Sequence, residues 1–322
     1  MGGPLRDPIA GLYEQRERTI MTTSELGQIM EMMKSGGPDF KDDAAKVRSD
    51  FEALLASLPV EETLAFETRS LGGVEGVWLG PAPASDGVLL YLHGGAYVVG
   101  TAFGYRSLAA GIARAAGVAL FAPEYHLAPE HPYPAALDDA LAAYRGLLED
   151  GYTPGQIVVA GDSAGGGLAA ALLVAIKEAG LLQPAGAWLL SPWADLAVEG
   201  GSAVSKADED RLLDREGLLK RAADYLAGND ARTPLASPIH ADLSGIAPLL
   251  VTVGSAEILL DDALRLVGRA AAGGTSVRLE VGPQMFHDFP LFAFMLSEGR
   301  DAIATAGEFL AARLVAQQPA AV

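Results

Sequence analysis

The chain of 322 residues carries 23 Lys and Arg against 41 Asp and Glu, and 50% of its residues are hydrophobic. Its formal net charge of −18 would repel nucleic acid and anionic membrane surfaces, so we expect neither as a partner. Because Cys is absent, disulfides, thiolate metal sites and a Cys nucleophile are excluded.

Residues 1–60 are polar and follow a helical pattern. Pro38, beside two glycines, separates two predicted helices, and each helix has one apolar face: Leu26, Ile29, Met30 and Met33 on the first, and Val47, Phe51, Leu54, Leu55 and Leu58 on the second. Met30 and Met33 are candidates to line an apolar substrate pocket, the alternative being packing within a helical cap. The N-terminus lacks the apolar stretch of a signal peptide, and no run approaches the ~18 apolar residues of a membrane span, so we expect a cytoplasmic protein.

From about residue 64 onward, short apolar runs alternate with longer helical patterns. Most runs lack polar alternation, which is typical of strands buried on both faces of a parallel sheet. They are Leu64–Ser70, Val74–Leu79, Val88–Leu92, Val118–Ala122, Ile157–Ala160, Ala187–Leu190, Leu249–Val253 and Val277–Val281, the first two forming a hairpin through Gly72-Gly73. The helical patterns are Tyr105–Ala115, Ala135–Leu148, Ala164–Ala179, Leu259–Ala272 and Ser297–Leu314. This order predicts an α/β fold with a mostly parallel eight-stranded sheet and helices on both faces.

Residues 195–237 interrupt the alternation as a charged insertion with one predicted amphipathic helix, Asp214–Leu226. We therefore predict an N-terminal helical cap segment over residues 1–60 and one main domain over residues 61–322, with a cap insertion at about 195–237. This interpretation disfavours two independent domains, although the length alone would allow them.

A G-x-S-x-G motif, Gly161-Asp162-Ser163-Ala164-Gly165, directly follows the predicted strand Ile157–Ala160 and opens the next helix. A strand-to-helix turn this tight holds the Ser in a strained conformation, and small residues must flank it. The alternative is a phosphate-binding loop, but the segment lacks the Lys-Ser or Lys-Thr pair of a P-loop and the spacing of a dinucleotide motif. The motif favours Ser163 as a nucleophile.

A second glycine motif, His93-Gly94-Gly95-Ala96, ends the predicted strand Val88–Leu92. Ester hydrolysis develops an oxyanion, and backbone N–H groups stabilise it where no side chain obstructs them. Glycines permit that approach, whereas the alternative is an ordinary glycine turn.

These motifs resemble the hormone-sensitive-lipase-like branch of the α/β-hydrolases over about residues 64–315. Tyr91–Ala96 is similar to the HGGG loop of that branch with Ala96 in place of the third Gly, and Glu124–Pro132 is similar to its YRLAPEHP stretch with His126 in place of Arg. Gly161–Gly166 matches the GDSAGG turn, and Ser191-Pro192-Trp193 matches a further landmark. The resemblance implies that residues 61–322 form an α/β-hydrolase catalytic domain.

The same resemblance implies roles for the residues of both loops. The oxyanion donors would be the N–H groups of Gly95, Ala96 and Ala164, with His93 and Gly94 supporting the loop. Ala96 keeps the amide that the third Gly would supply. Asp162 would orient the loops near Ser163 or make a polar contact to substrate.

A Ser nucleophile needs a His base and an orienting acid, which follow it in the order Ser, acid, His in this fold. Among the five His, His287 follows the last predicted strand and matches the position of the base in the family. The family usually places an Asp after the seventh strand, and here Glu257 stands at that position. Asp261, further along the predicted helix, is the rival acid.

The resulting prediction is a serine carboxylesterase that hydrolyses small-molecule esters through an acyl-enzyme, without a metal or organic cofactor. The resemblance implies short- to medium-chain esters and a homodimer. A lactonase or a metabolite deacetylase with the same three residues stays open. A non-catalytic small-molecule receptor is disfavoured, because all three residues are present.

Overall fold

An eight-stranded sheet forms the centre of the computed structural model, which describes residues 25–32, 37–61, 63–80 and 87–314. The strands are β1 (Phe66–Leu71), β2 (Val74–Leu79), β3 (Val88–Leu92), β4 (Ala119–Pro123), β5 (Ile157–Asp162), β6 (Gly186–Leu190), β7 (Leu249–Gly254) and β8 (Val277–Gly282). Their spatial order is β1-β2-β4-β3-β5-β6-β7-β8. The β1–β2 hairpin and the β2–β4 pair are antiparallel, and the other pairs are parallel. The predicted fold class is confirmed.

Burial along the strands follows their place in the sheet. Every residue of β3, β4, β5, β6 and β7 is buried, as their continuous apolar runs predict. Strand β8 is only half-buried, because it lies at the edge of the sheet and carries Arg278 and Glu280. Because β5, β6, β7 and β8 pair in parallel, the carboxyl ends of β5, β7 and β8 lie along one rim of the sheet.

Helices connect the strands and cover the sheet. In the described part of the chain they are α1 (residues 25–32), α2 (Ala44–Ser57), α3 (Arg106–Ala116), α4 (Ala135–Glu149), α5 (Ser163–Glu178), α6 (Ser202–Ser205), α7 (Arg215–Leu226), α8 (Leu260–Ala272) and α9 (Ser297–Ala311). The carboxylate of Asp214 caps α7 by accepting the N–H of Gly217 at 2.9 Å. Of these described helices, none has both the length and the apolar composition that crossing a membrane requires.

The two segments that break the strand–helix alternation contact each other. The Lys41 ammonium lies 3.0 Å from the Asp214 carboxylate, and the Lys220 ammonium donates to the Asp42 carbonyl at 2.9 Å. The side chain of Phe40 lies against Gly217. Residues 37–61 and α7 therefore lie side by side, although their joint role as a cap stays a prediction.

Candidate active site

Ser163 occupies a tight turn between β5 and α5. Its φ of 52° lies in the left-handed region, a conformation that costs a non-glycine residue energy and recurs at functional turns. Gly165 has to be small, because a Cβ there would lie 2.1 Å from the Leu92 carbonyl oxygen. The turn places the Ser163 hydroxyl at the carboxyl rim of the sheet, as the motif predicts.

Ser163, His287 and Glu257 form a hydrogen-bonded chain across this rim. The Ser163 Oγ lies 2.9 Å from the His287 Nε2, and the His287 Nδ1 lies 3.0 Å from the Glu257 Oε2. His287 follows β8, and Glu257 follows β7. All three side chains are buried, so their hydrogen bonds are shielded from competing water.

Two further donors hold the Glu257 carboxylate in place. Its Oε1 accepts the N–H of Gly254 at 2.5 Å and the hydroxyl of Ser191 at 2.7 Å. Burial raises the pKa of Glu257, and the hydrogen bond to His287 acts in the opposite direction. With both oxygens engaged, the carboxylate is fixed in one orientation toward the imidazole.

The other acidic residues after β7 point elsewhere. Asp261 Oδ2 accepts the N–H of Ser202 at 2.9 Å, at the start of α6. Asp262 Oδ2 accepts the N–H groups of Ala194 and Asp195, each at 2.9 Å. Both side chains anchor the inserted segment to α8, and the geometry therefore favours Glu257 over Asp261 as the partner of His287.

The loop after β3 runs past Ser163 with its backbone in unusual conformations. Gly95 has a φ of 116°, and a Cβ there would lie 2.1 Å from the Val99 carbonyl oxygen. Ala96 follows with a φ of 52°. Within the described residues no acceptor is found for the N–H of Gly95 or Ala96, and Ala164 lies in the first turn of α5, where N–H groups have no partner in the helix. Within the described residues these three N–H groups thus lack an acceptor, as their predicted role as oxyanion donors requires.

Buried polar residues support this loop from below. The Asp162 Oδ1 accepts the Tyr91 hydroxyl at 2.5 Å and the Gly94 N–H at 2.9 Å. The His93 ring stacks between those of Tyr105 and Tyr125, with centroid distances of 5.6 and 4.2 Å. Asp162 is fully buried, so of its two predicted roles the structure favours loop orientation over substrate contact.

Asp288 is a site residue that the sequence reasoning missed. Its Oδ2 lies 3.1 Å from the His287 Nε2, the same nitrogen that faces Ser163. Burial lowers the pKa of His287, but the carboxylates of Asp288 and Glu257 outweigh burial and raise it well above the ordinary value. No local motif signals this contact, because it depends on the left-handed backbone of Asp288, whose φ is 53°.

Arg48 on α2 is a second residue that the sequence reasoning missed. Its guanidinium donates to the carbonyls of Val98 and Ala128 at 2.8 and 2.7 Å, and it pairs with the Glu130 carboxylate. It thereby joins the N-terminal segment to the loop after β3 (residues 93–105), named the oxyanion loop for its predicted role, and to the stretch that follows β4. The sequence offers no periodic signal for such a contact, since Arg48 is distant in sequence from all three partners.

The candidate pocket methionines differ in what can be said of them. Met30 is half-buried and packs against the core beside the fully buried Ile29, and Met33 lies outside the described residues. A cavity of about 900 Å³ lies between residues 37–57 and residues 207–214, and Met32 and Phe292 contribute to its wall. Neither Met30 nor Ser163 or His287 lines this cavity, so the cavity does not test the substrate role of Met30, which stays a prediction.

The described residues contain no group of three or more His, Asp or Glu placed to hold a metal ion. The chemistry that this arrangement can supply is proton transfer between a hydroxyl and an imidazole, beside unpaired backbone N–H groups.

Comparison with known proteins gives a family match over most of the strands. A family model described as alpha/beta hydrolase fold matches residues 89–291. An acetyl-hydrolase of Streptomyces hygroscopicus is 48% identical over 241 residues, which cover 75% of this chain and 81% of the relative. An esterase of Acinetobacter venetianus is 33% identical over 264 residues, which cover 82% of this chain and 87% of the relative.

A solved structure of an esterase from the bacterial hormone-sensitive lipase family superposes with a TM-score of 0.86. It is 42% identical, and the match covers 91% of this chain and 99% of the esterase. The superposition therefore extends beyond the sheet to nearly the whole of the described chain.

Proposed function

Because the chain belongs to the α/β-hydrolase family, in its hormone-sensitive-lipase-like branch, and is a carboxylic ester hydrolase, we propose that it cleaves esters with Ser163 as nucleophile, His287 as base and Glu257 as orienting acid. The observation that carries this proposal is the hydrogen-bonded chain from Ser163 through His287 to Glu257, with distances of 2.9 and 3.0 Å.

The first half of the reaction acylates Ser163. The His287 Nε2 takes the hydroxyl proton while the Ser163 oxygen attacks the ester carbonyl. Glu257 keeps the other imidazole proton on Nδ1, so that Nε2 is free to accept. The protonated imidazole then gives its proton to the departing alcohol, which leaves the acyl group on Ser163.

The second half releases the acid. Water attacks the acyl-enzyme carbonyl while His287 accepts a proton from it. The bond between the acyl group and the Ser163 oxygen then breaks, and His287 gives that proton to the Ser163 oxygen, which restores the hydroxyl. In both halves the N–H groups of Gly95, Ala96 and Ala164 receive the oxyanion, and each such donor contributes about 10²–10³ in rate. Their lack of other partners within the described residues supports this role.

Substrate size is set, in this proposal, by a cap that comprises the N-terminal segment and residues 195–237. Arg48 supports this assignment, because it ties α2 to the oxyanion loop. The similarity to a relative named as an acetyl-hydrolase supports acetyl and other short acyl groups, rather than long chains, as the acyl part of the substrate of this enzyme. A homodimer and a cytoplasmic location stay predictions; sedimentation of the purified protein tests the first.

The decisive experiment compares the wild-type enzyme with Ser163→Ala on p-nitrophenyl esters of two to sixteen carbons. We expect turnover to fall by about 10⁶-fold in the variant, because Ser163, His287 and Glu257 act together and the other two cannot work without the nucleophile. The wild-type enzyme should prefer the short chains. Substantial ester turnover by Ser163→Ala would contradict the serine mechanism, and no hydrolysis by the wild-type enzyme would favour a receptor or an enzyme of narrow specificity.

A further inference from the structure

Asp288 places a carboxylate next to the reacting atoms, and only part of it is used. Its Oδ2 contacts the His287 Nε2 at 3.1 Å, and its backbone N–H donates to the Ser191 hydroxyl at 3.3 Å. Its other oxygen, Oδ1, is buried and has no hydrogen-bond partner among the described residues. The residue is only 7% exposed. A buried carboxylate oxygen without a partner is costly, and Oδ1 has almost no accessible surface, so it becomes an acceptor for a bound molecule when the Asp288 side chain turns.

The position of Asp288 relative to His287 says which part of a substrate it meets. In the proposed mechanism the His287 Nε2 gives its proton to the oxygen of the departing alcohol, which must come within hydrogen-bond distance of that nitrogen. Asp288 lies beside the same nitrogen, and two hydrogen-bond lengths amount to about 6 Å. The Asp288 carboxylate therefore lies near the first few atoms of the alcohol rather than near the far end of the acyl chain.

Contact with His287 distinguishes Asp288 from the nearby carboxyl group of Asp162. Burial and the nearby Asp288 carboxylate raise the pKa of Asp162 well above its ordinary value, while the hydrogen bonds from Tyr91 and Gly94 act in the opposite direction. Asp162 also has its own donors in Tyr91 and Gly94. The Oδ2 of Asp162 is also buried and without a partner among the described residues, but of the two carboxyl groups only that of Asp288 contacts the His287 Nε2 there.

We propose that Asp288 is a specificity-determining residue that accepts a hydrogen bond from the alcohol part of the ester, so that the enzyme prefers esters of alcohols carrying a second hydroxyl, such as glycols, glycerol or sugars. This inference rests on the proposed function. The donor hydroxyl belongs two or three bonds from the ester oxygen, within reach of the Asp288 carboxylate. Simple alkyl esters bind the same site but leave Oδ1 unpaired.

The test uses two acetates that differ in one group. 2-Hydroxyethyl acetate and propyl acetate have the same acyl group and nearly the same size, and only the first carries a donor. We expect the wild-type enzyme to favour the hydroxyethyl ester by about tenfold or more in kcat/KM, the effect of a hydrogen bond to a charged group. In Asp288→Gly, which suits the left-handed backbone, the ratio should fall to about one. Asp288→Asn keeps an amide oxygen as an acceptor and should give an intermediate ratio.

The ratio of the two esters cancels any change in the basicity of His287, because both substrates use the same base. Asp261→Asn is the matched control: it removes one negative charge on α8, outside the site, and should keep the wild-type ratio. Acetylcholine and its neutral isostere 3,3-dimethylbutyl acetate separate charge from donation. A preference for the cationic ester alone would overturn the proposal, since its quaternary ammonium carries no donor.

Failure of this inference is distinguishable from failure of the proposed function. If the wild-type enzyme hydrolyses both acetates equally, or if Asp288→Gly keeps the tenfold ratio, Asp288 does not accept a hydrogen bond from the alcohol part and the inference is wrong. If Ser163→Ala still hydrolyses either acetate, the serine mechanism itself is wrong. Thermal unfolding of each variant confirms that a change in the ratio comes from a folded enzyme.

Discussion

The imidazole of His287 lies between two carboxylates, that of Glu257 at Nδ1 and that of Asp288 at Nε2. In the proposed mechanism Glu257 fixes the proton on Nδ1 and so prepares Nε2 to accept the proton of Ser163. In the same mechanism Asp288 stabilises the imidazolium that forms next. The same contact has a cost, because an imidazolium that is already stable before substrate attack cannot serve as a base.

This balance predicts a shifted pH profile. The groups that face His287 are Ser163, Glu257 and Asp288, with the buried Asp162 nearby, and the net effect of their charges and of burial is a raised pKa of His287. Only neutral His287 accepts a proton, so kcat/KM should rise with pH through a value above the ordinary 6.5 of an imidazole. In Asp288→Asn the loss of the charge lowers this pKa, and activity should persist to lower pH. Identical acidic limbs would contradict the role of Asp288 in setting the basicity of His287.

The acid of the site gives a second prediction. Glu257→Gln should keep the size of the side chain but lose the charge that stabilises the imidazolium, and turnover should fall by about 10³–10⁴ by analogy with other Ser-His-acid sites. Asp261→Asn should stay near wild type, since Asp261 binds the N–H of Ser202 instead of His287. The assignment is wrong if kcat measured on p-nitrophenyl acetate shows the opposite order.

Local motifs carry the information for Ser163 and His287, whereas the contact of Asp288 depends on three-dimensional placement. The tight turn at Ser163 requires small residues on both sides, and this requirement produces a short motif that can be recognised in the sequence. The side-chain direction of Asp288 follows from its own left-handed backbone and from the hydrogen bond of its N–H to Ser191. Both features arise only once β6 and β8 are in place.

At the scale of elements, α2 is joined to the oxyanion loop through one side chain. Arg48 donates to the carbonyl of Val98, in the loop after β3, and to the carbonyl of Ala128, in the stretch after β4. The strands were predictable because five consecutive buried residues leave an apolar run in the sequence. The packing partner of α2 was not predictable, since an apolar face shows that a helix is packed but does not identify the surface that it contacts.

This link predicts that α2 matters for activity as well as for stability. Arg48→Met keeps the length of the side chain but leaves both carbonyls without a donor, so the free energy of unfolding should fall by about 1–2 kcal/mol. We also expect kcat/KM to fall several-fold, because the oxyanion loop loses a support. Arg232→Met is the control, since Arg232 is exposed and, among the described residues, its guanidinium forms an ion pair with the exposed Glu199 alone. Equal unfolding midpoints and equal kcat/KM for the two variants would remove Arg48 from this role.

At the scale of the whole molecule, charge of one sign dominates. The formal net charge is −18, and many of the described ion pairs lie on the surface, where each contributes little. Folding brings the excess carboxylates closer together than they are in the unfolded chain, so their repulsion opposes the compact state.

Salt should therefore stabilise this protein. Raising the NaCl concentration from about 0.01 M to about 0.15 M shortens the Debye length from ~30 Å to ~8 Å and screens repulsion across the surface. We expect Tm to rise by about 1–2 °C, the shift that ~1 kcal/mol gives in a chain of 322 residues. Calorimetry at constant pH measures it. A fall in Tm over this range would mean that the surface ion pairs outweigh the general repulsion.

The proposed reacting residues come from strand ends that are far apart in the chain, and this separation bears on how the enzyme matures. Ser163 follows β5, while His287 follows β8, the last strand to be synthesised. In the proposed mechanism, Ser163 has no base until β8 pairs with β7, and until then it is as unreactive as any other serine. Recovery of esterase activity during refolding thus reports docking of the final strand, whereas recovery of circular dichroism reports the earlier strands and helices. A partly folded chain would already have much of its sheet and still hydrolyse nothing.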